Sequence, residues 1–243
     1  NAIMATRCFS SDVELGKKLV SEYAKGFQSA GVAATLKHFP GAGKNEYRDS
    51  HFTDQTISES AEEWWERQGC IFQAGIDAGT YSVMMSHTFF PAYDNEKING
   101  HSVPASMSYH IITKLLKEKM GFKGVVITDS IAGMRAVTTV FPTRKEMYVK
   151  LYNAGVDVVL GPIEPDYIDI IEECVNEGLI PISRIDDACE RVLQMKEKLA
   201  RIRTEALAEI NAADANPEQI KIKYLGKKGE LTSMLKMMGS LSA

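Results

Sequence analysis

The chain reads as an α/β protein: the parallel strands and helices of the C-terminal part of a (β/α)8-type barrel, followed by an α-helical hairpin with coiled-coil character. Three observations predict this. Short apolar runs alternate with helix-periodic segments at the spacing of βα units, which makes the strands parallel. Each run ends in something polar or loop-forming, namely Lys37-His38, His87, Asp129 and Gly161-Pro162, as at the active face of a β/α barrel. Beyond Ser183 the apolar residues fall three and four apart along one stretch, which is a helical seam.

The elements follow in order. Asp12 stands as an N-cap before Val13, Leu15, Leu19, Val20, Tyr23, Ala24 and Phe27, which share helical spacing, and Gly31 terminates that helix. Gly31 to Leu36 is an apolar run that makes a buried strand, which Pro40, Gly41 and Gly43 stop. Ser58 to Glu63 starts a second helix with acidic residues in its first turn, where the helix dipole favours them. Ser82 to His87 is the second strand, followed by a loop through Pro91 and Pro104. A helix over Ser108–Met120 carries Ile111, Ile112, Leu115 and Leu116 on one face, and Gly124 to Asp129 is the third strand. A helix ending at Ala154-Gly155, a fourth strand over Val156–Gly161 and a helix over Tyr167–Asn176 complete the pattern. The seam then runs through Ile185, Ala188, Val192, Met195, Leu199, Ile202, Ala206 and Ile210, and Pro217 separates it from a second, lysine-rich helical arm.

Composition narrows the function class. Of 243 residues, 44% are hydrophobic and 25% charged, as in ordinary globular proteins. A net charge of −4 gives no reason to expect nucleic-acid binding by the whole chain. Cys8, Cys70, Cys174 and Cys189 are scattered without a C-x-x-C pair, which argues against a structural zinc site and for a reduced, cytoplasmic setting. No apolar run is long enough for a bilayer, so no membrane association is expected.

The chemistry gathers at strand ends. Lys37 and His38 begin a loop that continues to Asp49-Ser50-His51. At that spacing the Asp49 carboxylate can hydrogen-bond the His51 imidazole, fix its tautomer and raise its pKa, preparing it to protonate a leaving oxygen. Taken alone, the same residues also describe a solvated turn. Asp129 emerges from an apolar strand, where a carboxylate is costly unless it is paired or faces a polar pocket; in a glycosidase it could attack an anomeric carbon. The plainer alternative is a strand-ending Asp that caps the next helix. His87 fits a pocket wall and a core histidine equally well.

Several separated motifs then coincide. Arg7-Cys8-Phe9, Gly31-Val32-Ala33-Ala34-Thr35-Leu36-Lys37-His38-Phe39-Pro40-Gly41, Asp49-Ser50-His51, Ser82-Val83-Met84-Met85-Ser86-His87, Gly121 through Asp129, and Ala154-Gly155-Val156-Asp157 occur in this order. Over residues 1–198 they resemble glycoside hydrolase family 3, and within it the bacterial β-N-acetylglucosaminidases. The resemblance implies a barrel domain, a carbohydrate substrate, a retaining double displacement and no cofactor or metal. It also implies roles: Asp129 as nucleophile, His51 as acid/base oriented by Asp49, and Arg7, Lys37 and His38 on sugar hydroxyls. Gly43 to Asp49 is one residue longer than the family spacing, and Ser130 to Met134 departs from the family pattern. The family has strands before Lys37-His38 that this sequence does not contain, so the expected half barrel has open edges, which a second copy of the chain could cover.

Residues 199–243 form the second expected unit. Ile222-Lys223-Tyr224-Leu225-Gly226-Lys227-Lys228-Gly229-Glu230-Leu231-Thr232 resembles the N-terminal coiled-coil arm of the bacterial phenylalanyl-tRNA synthetase α subunit. That resemblance implies RNA contact through Lys221, Lys223, Lys227 and Lys228. With no synthetase catalytic motif alongside it, aminoacylation is not expected. The competing functional reading is therefore a non-catalytic fusion or fragment whose arm mediates oligomerisation or tRNA binding.

Overall fold

A computed structural model of the chain describes residues 8–43, 53–132, 137, 140–141, 143–162 and 164–211. Helix α1 (Val13–Ser29) begins where the Asp12 carboxylate accepts the Leu15 N–H at 2.7 Å, an N-cap satisfying one of the orphan donors of the first turn. It leads into strand β1 (Thr35–Phe39). Helix α2 is built from an α segment Ala61–Trp64, a π-helical turn Trp65–Gly69 and an α segment Cys70–Asp77. Ser60 and Glu63 close a capping box at its start. A Cβ on Gly75 would lie 2.7 Å from Leu36 and 2.9 Å from Val20, so the missing side chain is what lets α2 lie against β1 and α1 together.

Strand β2 (Ser82–Met85) is followed by a two-stranded antiparallel hairpin, β3 (Lys97–Ile98) and β4 (His101–Ser102), and by a 3₁₀ turn, Ala105–Met107. The hairpin falls in the stretch that the sequence presents only as a proline-bounded loop; strands of two residues leave no alternation to detect. Helix α3 (His110–Lys119) is π-type and buries all four expected residues, Ile111, Ile112, Leu115 and Leu116. Strand β5 (Val125–Thr128), α4 (Arg144–Ala154), α5 (Tyr167–Asn176) and α6 (Ile182–Asn211) complete the described elements. Gly155 ends α4 at φ 113°, a left-handed C-cap that suits glycine.

The sheet order is β1-β2-β5 and every pairing is parallel. Helices lie between successive strands, so the described part is a TIM-barrel-like α/β fold. The predicted fourth strand over Val156–Gly161 is reduced to one parallel bridge, Ile127 to Val158. Side chains take the ladder's place on both sides of it. The Asp157 carboxylate accepts the Val126 N–H at 2.8 Å, and the Thr128 hydroxyl accepts the Leu160 N–H at 2.9 Å. Backbone groups satisfied by side chains no longer extend a strand.

Helix α6 is continuous through residues 198 and 199. Over the described portion the apolar seam expected of it packs against the barrel. Ala188 is buried, Ile202 lies 3.7 Å from where a Cβ on Gly31 would be, and the Lys198 ammonium sits 5.7 Å from the centre of the Tyr81 ring. Arg191 donates to the carbonyls of Lys123 (3.0 Å) and Gly124 (3.3 Å). Tyr81 and Gly124 immediately precede β2 and β5, so this apolar face covers strand N-terminal ends. The second helical arm, with Lys221, Lys223, Lys227 and Lys228, lies outside the described residues.

A charge cluster fastens the same end. The Asp157 side chain is fully buried and holds Lys117 Nζ at 3.2 Å, together with the Arg184 guanidinium. Arg184 also bonds the carbonyls of Tyr152 (3.2 Å) and Val156 (2.9 Å), and Asp187 links Arg184 to Arg191. Burial holds the Lys117 ammonium below the usual lysine pKa, while Asp157 acts in the opposite direction. Removing one member of such a cluster strands the others in low dielectric. Asp157→Ala is therefore expected to cost about 3–5 kcal/mol of folding stability, read as a lowered urea midpoint with the wild-type slope.

Candidate active site

The C-terminal end of β2 sits between β1 and β5, and its residues reach both neighbours. Ser86 N–H donates to the Phe39 carbonyl at 2.7 Å, on the β1 side. The Met85 carbonyl accepts Asp129 N–H at 2.9 Å, on the β5 side. The Thr88 hydroxyl donates to the Gly41 carbonyl at 3.2 Å and shares a 2.6 Å hydrogen bond with Ser86 Oγ. The indole of Trp64 donates to the Pro40 carbonyl at 2.8 Å. Three successive carbonyls of the loop, Phe39, Pro40 and Gly41, are thus each held by a defined donor, so this segment has little freedom to shift. Trp64 is itself packed among Phe39, Phe90 and Tyr93, with ring centroids 5.6–6.0 Å away.

Within β1 the register on β2 slips between Lys37, opposite Met84, and Phe39, opposite Met85. The Lys37–His38 and Phe39–Pro40 peptides are both cis. A register slip re-aims a side chain at a strand end. The His38 imidazole faces Asp129, with Nε2 3.4 Å from Oδ2, and the two side chains are 19% and 32% exposed. Lys37 is exposed at the same strand end. The other carboxylate oxygen of Asp129, Oδ1, accepts the Ser130 N–H at 2.8 Å. The carboxylate is therefore anchored through one oxygen and presents the other, in a partly open position, to His38.

His87 settles as a core histidine that borders the site. It is 4% exposed, with Nδ1 2.7 Å from Ser106 Oγ and Nε2 3.2 Å from the Ser130 carbonyl. A carbonyl only accepts, so Nε2 carries the proton and Nδ1 accepts from the Ser106 hydroxyl. Burial pushes the His87 pKa down to about 4, with the Asp129 charge pulling the other way.

Of the residues singled out from the sequence, His38 and Asp129 are brought together from the ends of β1 and β5, and Lys37 is exposed at the end of β1. Arg7, Asp49 and His51 lie outside the described residues. Trp64, Thr88 and Ser106 were not anticipated. Trp64 follows a recognisable capping box, and Thr88 directly follows His87, but a hydrogen bond to a distant carbonyl leaves no sequence pattern. Among the described residues there is no group of three or more His, Cys, Asp and Glu arranged to hold a metal.

Residues 1–195 match the family model described as "Glycosyl hydrolase family 3 N terminal domain". The chain belongs to glycosyl hydrolase family 3. It is 32% identical over 205 residues to a Cellulomonas fimi "Beta-N-acetylglucosaminidase/beta-glucosidase", covering 82% of this chain and 36% of that protein. It is 36% identical to a Stenotrophomonas maltophilia "Beta-hexosaminidase", over 70% of this chain and 47% of the other. A glycoside hydrolase family 3 β-N-acetylglucosaminidase from Paenibacillus sp. superposes with TM-score 0.76 at 30% identity, covering 100% of this chain and 43% of that one. A structure titled "Beta-glucoside phosphorylase BglX" superposes with TM-score 0.74 at 28% identity, over 95% of this chain and 40% of that one. The chain thus spans less than half the length of these relatives. Residues 212–243 match a second model, "Aminoacyl tRNA synthetase class II, N-terminal domain"; they lie outside the described residues.

The depressed His87 pKa has a stability consequence. Above pH 6.5 the ring is neutral in both folded and unfolded chains and contributes no slope. Between pH 6.5 and about 4 the unfolded chain takes up a proton that the folded chain refuses, so stability falls as pH falls. The shift corresponds to roughly 3 kcal/mol lost by pH 4. Urea unfolding at pH 7 and pH 4.5 is expected to show this loss, and His87→Leu is expected to reduce the pH dependence.

Proposed function

We propose that the chain supplies the nucleophile-bearing barrel segment of a retaining glycoside hydrolase that releases terminal β-linked N-acetylhexosamine or a related β-glycoside. The observation that carries this is the Asp129 carboxylate, tied through Oδ1, facing His38 through Oδ2 and partly exposed, at a strand C-terminal end. In the first step Asp129 attacks the anomeric carbon, the bond to the aglycone oxygen breaks, and the His51 imidazolium gives that oxygen a proton. In the second step water attacks the same carbon and returns a proton to His51, and the bond to Asp129 breaks. Asp49 orients His51, while Arg7, Lys37 and His38 hold sugar hydroxyls. Family membership and the names of the relatives support this reading.

The test is release of p-nitrophenol from the N-acetyl-β-glucosaminide, with and without inorganic phosphate. Phosphate is included because one similar structure carries the name of a phosphorylase. Wild-type turnover is expected to fall on the order of 10³-fold or more in Asp129→Asn. Turnover that survives that change would sink the reading.

A second reading concerns residues 212–243, whose family match favours an RNA-binding arm. Lys221, Lys223, Lys227 and Lys228 would contact phosphates, giving a tRNA affinity that falls steeply with salt. The four cysteines are free thiols, which suits a reducing compartment such as the cytoplasm. A second copy of the chain covering the other edge of β1 belongs to the same proposal. Among the described residues, no helix is long and apolar enough to cross a membrane.

A further inference from the structure

Asp129 is held by the backbones of Met85 and Ser130, and Ser130 in turn has a side-chain partner. Ser130 donates its N–H to Oδ1 and, through its carbonyl, accepts from His87 Nε2. His87 comes from β2, whose Met85 carbonyl already holds Asp129 N–H. Ser106, fully buried in the 3₁₀ turn, fixes the imidazole by donating to Nδ1 at 2.7 Å. Its own backbone is tied to the same strand end, with Ser106 N–H bonded to the Ser86 carbonyl at 3.1 Å. The chain Ser106–His87–Ser130–Asp129 is a run of directional hydrogen bonds that stops at the carboxylate.

We propose that His87 is a positioning residue for Asp129, holding the Ser130 turn so that Oδ1 stays bonded and Oδ2 stays turned toward His38. This rests on the reading of Asp129 as the attacking carboxylate. The imidazole touches neither sugar nor leaving group in this role; it acts through the Ser130 carbonyl. The site asks for a donor, because the carbonyl accepts, and a neutral ring meets that need without adding a positive charge. A carboxylate left to rotate away from its line of attack loses reactivity steeply, since a misplacement of about 1 Å can cost on the order of 10²-fold in rate.

The experiment compares wild type, Asp129→Asn, His87→Leu, His87→Gln and Ser106→Ala on the chromogenic glycoside, with circular dichroism confirming the fold of each. His87→Leu keeps bulk and removes the donor; kcat is expected to fall about 10²-fold while KM stays within about threefold. His87→Gln restores an N–H near the Nε2 position and is expected to recover to within about tenfold of wild type. Ser106→Ala, the variant least disturbing to the core, is expected to lower kcat by several-fold through the loosened ring. Wild-type kcat in both His87→Leu and Ser106→Ala would overturn the proposal. So would a His87→Gln variant as inactive as His87→Leu, because the loss would then reflect packing and not the donor. Should His87→Leu fail to fold, Ser106→Ala and His87→Gln decide the matter between them. Turnover undiminished in Asp129→Asn would instead remove the glycosidase reading itself, so the two failures are distinguishable.

Discussion

The geometry of the site depends on the end of one strand. β2 lies between β1 and β5, and beyond its last ladder residue it bonds outward in both directions. Ser86 N–H and the Thr88 hydroxyl hold carbonyls of the Phe39–Gly41 loop; the Met85 carbonyl and His87 hold the Asp129–Ser130 turn. His38 and Asp129 therefore face one another across a common anchor, and their 3.4 Å approach is set by backbone hydrogen bonding more than by their mutual attraction. A histidine and a carboxylate that are both partly exposed gain little from attraction alone. Directional bonds to a central strand give a fixed separation at far lower cost in flexibility.

The two ends of the strands divide the labour. At the N-terminal end, Asp157, Lys117, Arg184, Asp187 and Arg191 knit α3, α6 and the entry to β5 together with charges that are mostly buried and mutually paired. At the C-terminal end the Asp129 carboxylate is left partly open. A buried, fully partnered carboxylate such as Asp157 is poorly available to a substrate, and a half-open one such as Asp129 gives up that anchoring role. This is the division that β/α barrels use, with stability below and chemistry above.

The elements with strong local signals were legible in the sequence. The Asp12 cap, the apolar face of α3, the glycine ending α4 and the span Tyr167–Asn176 depend on neighbours within a turn or two. Strand ends were legible because polar residues interrupt apolar runs, and that is how Lys37, His38 and Asp129 stood out. What escaped depends on partners distant in the chain. The fourth strand failed because Asp157 and Thr128 use side chains to satisfy ladder groups. The seam of α6 was visible, but its packing surface was not, since periodicity identifies an apolar face without saying what covers it. Thr88, Trp64 and Ser106 matter through bonds to loop carbonyls or to an imidazole that no spacing rule encodes.

The same wiring limits which parts of the site depend on one another. Among the described residues, His38 and Asp129 are positioned from three strands adjacent in space, β1, β2 and β5, with Trp64 of α2 and Ser106 of the 3₁₀ turn bracing the segments just after them. Among the described residues β1 pairs on one side only, and on the proposed reading its other edge borders the outer wall of the sugar pocket. The anchors of the Asp129 carboxylate lie on the far side of β2 from that edge. On the proposed reading, substrate affinity would depend on what neighbours β1, whereas the orientation of Asp129 Oδ2 depends on the end of β2. The two properties are carried by different contacts, and changes at one end of the sheet need not disturb the other.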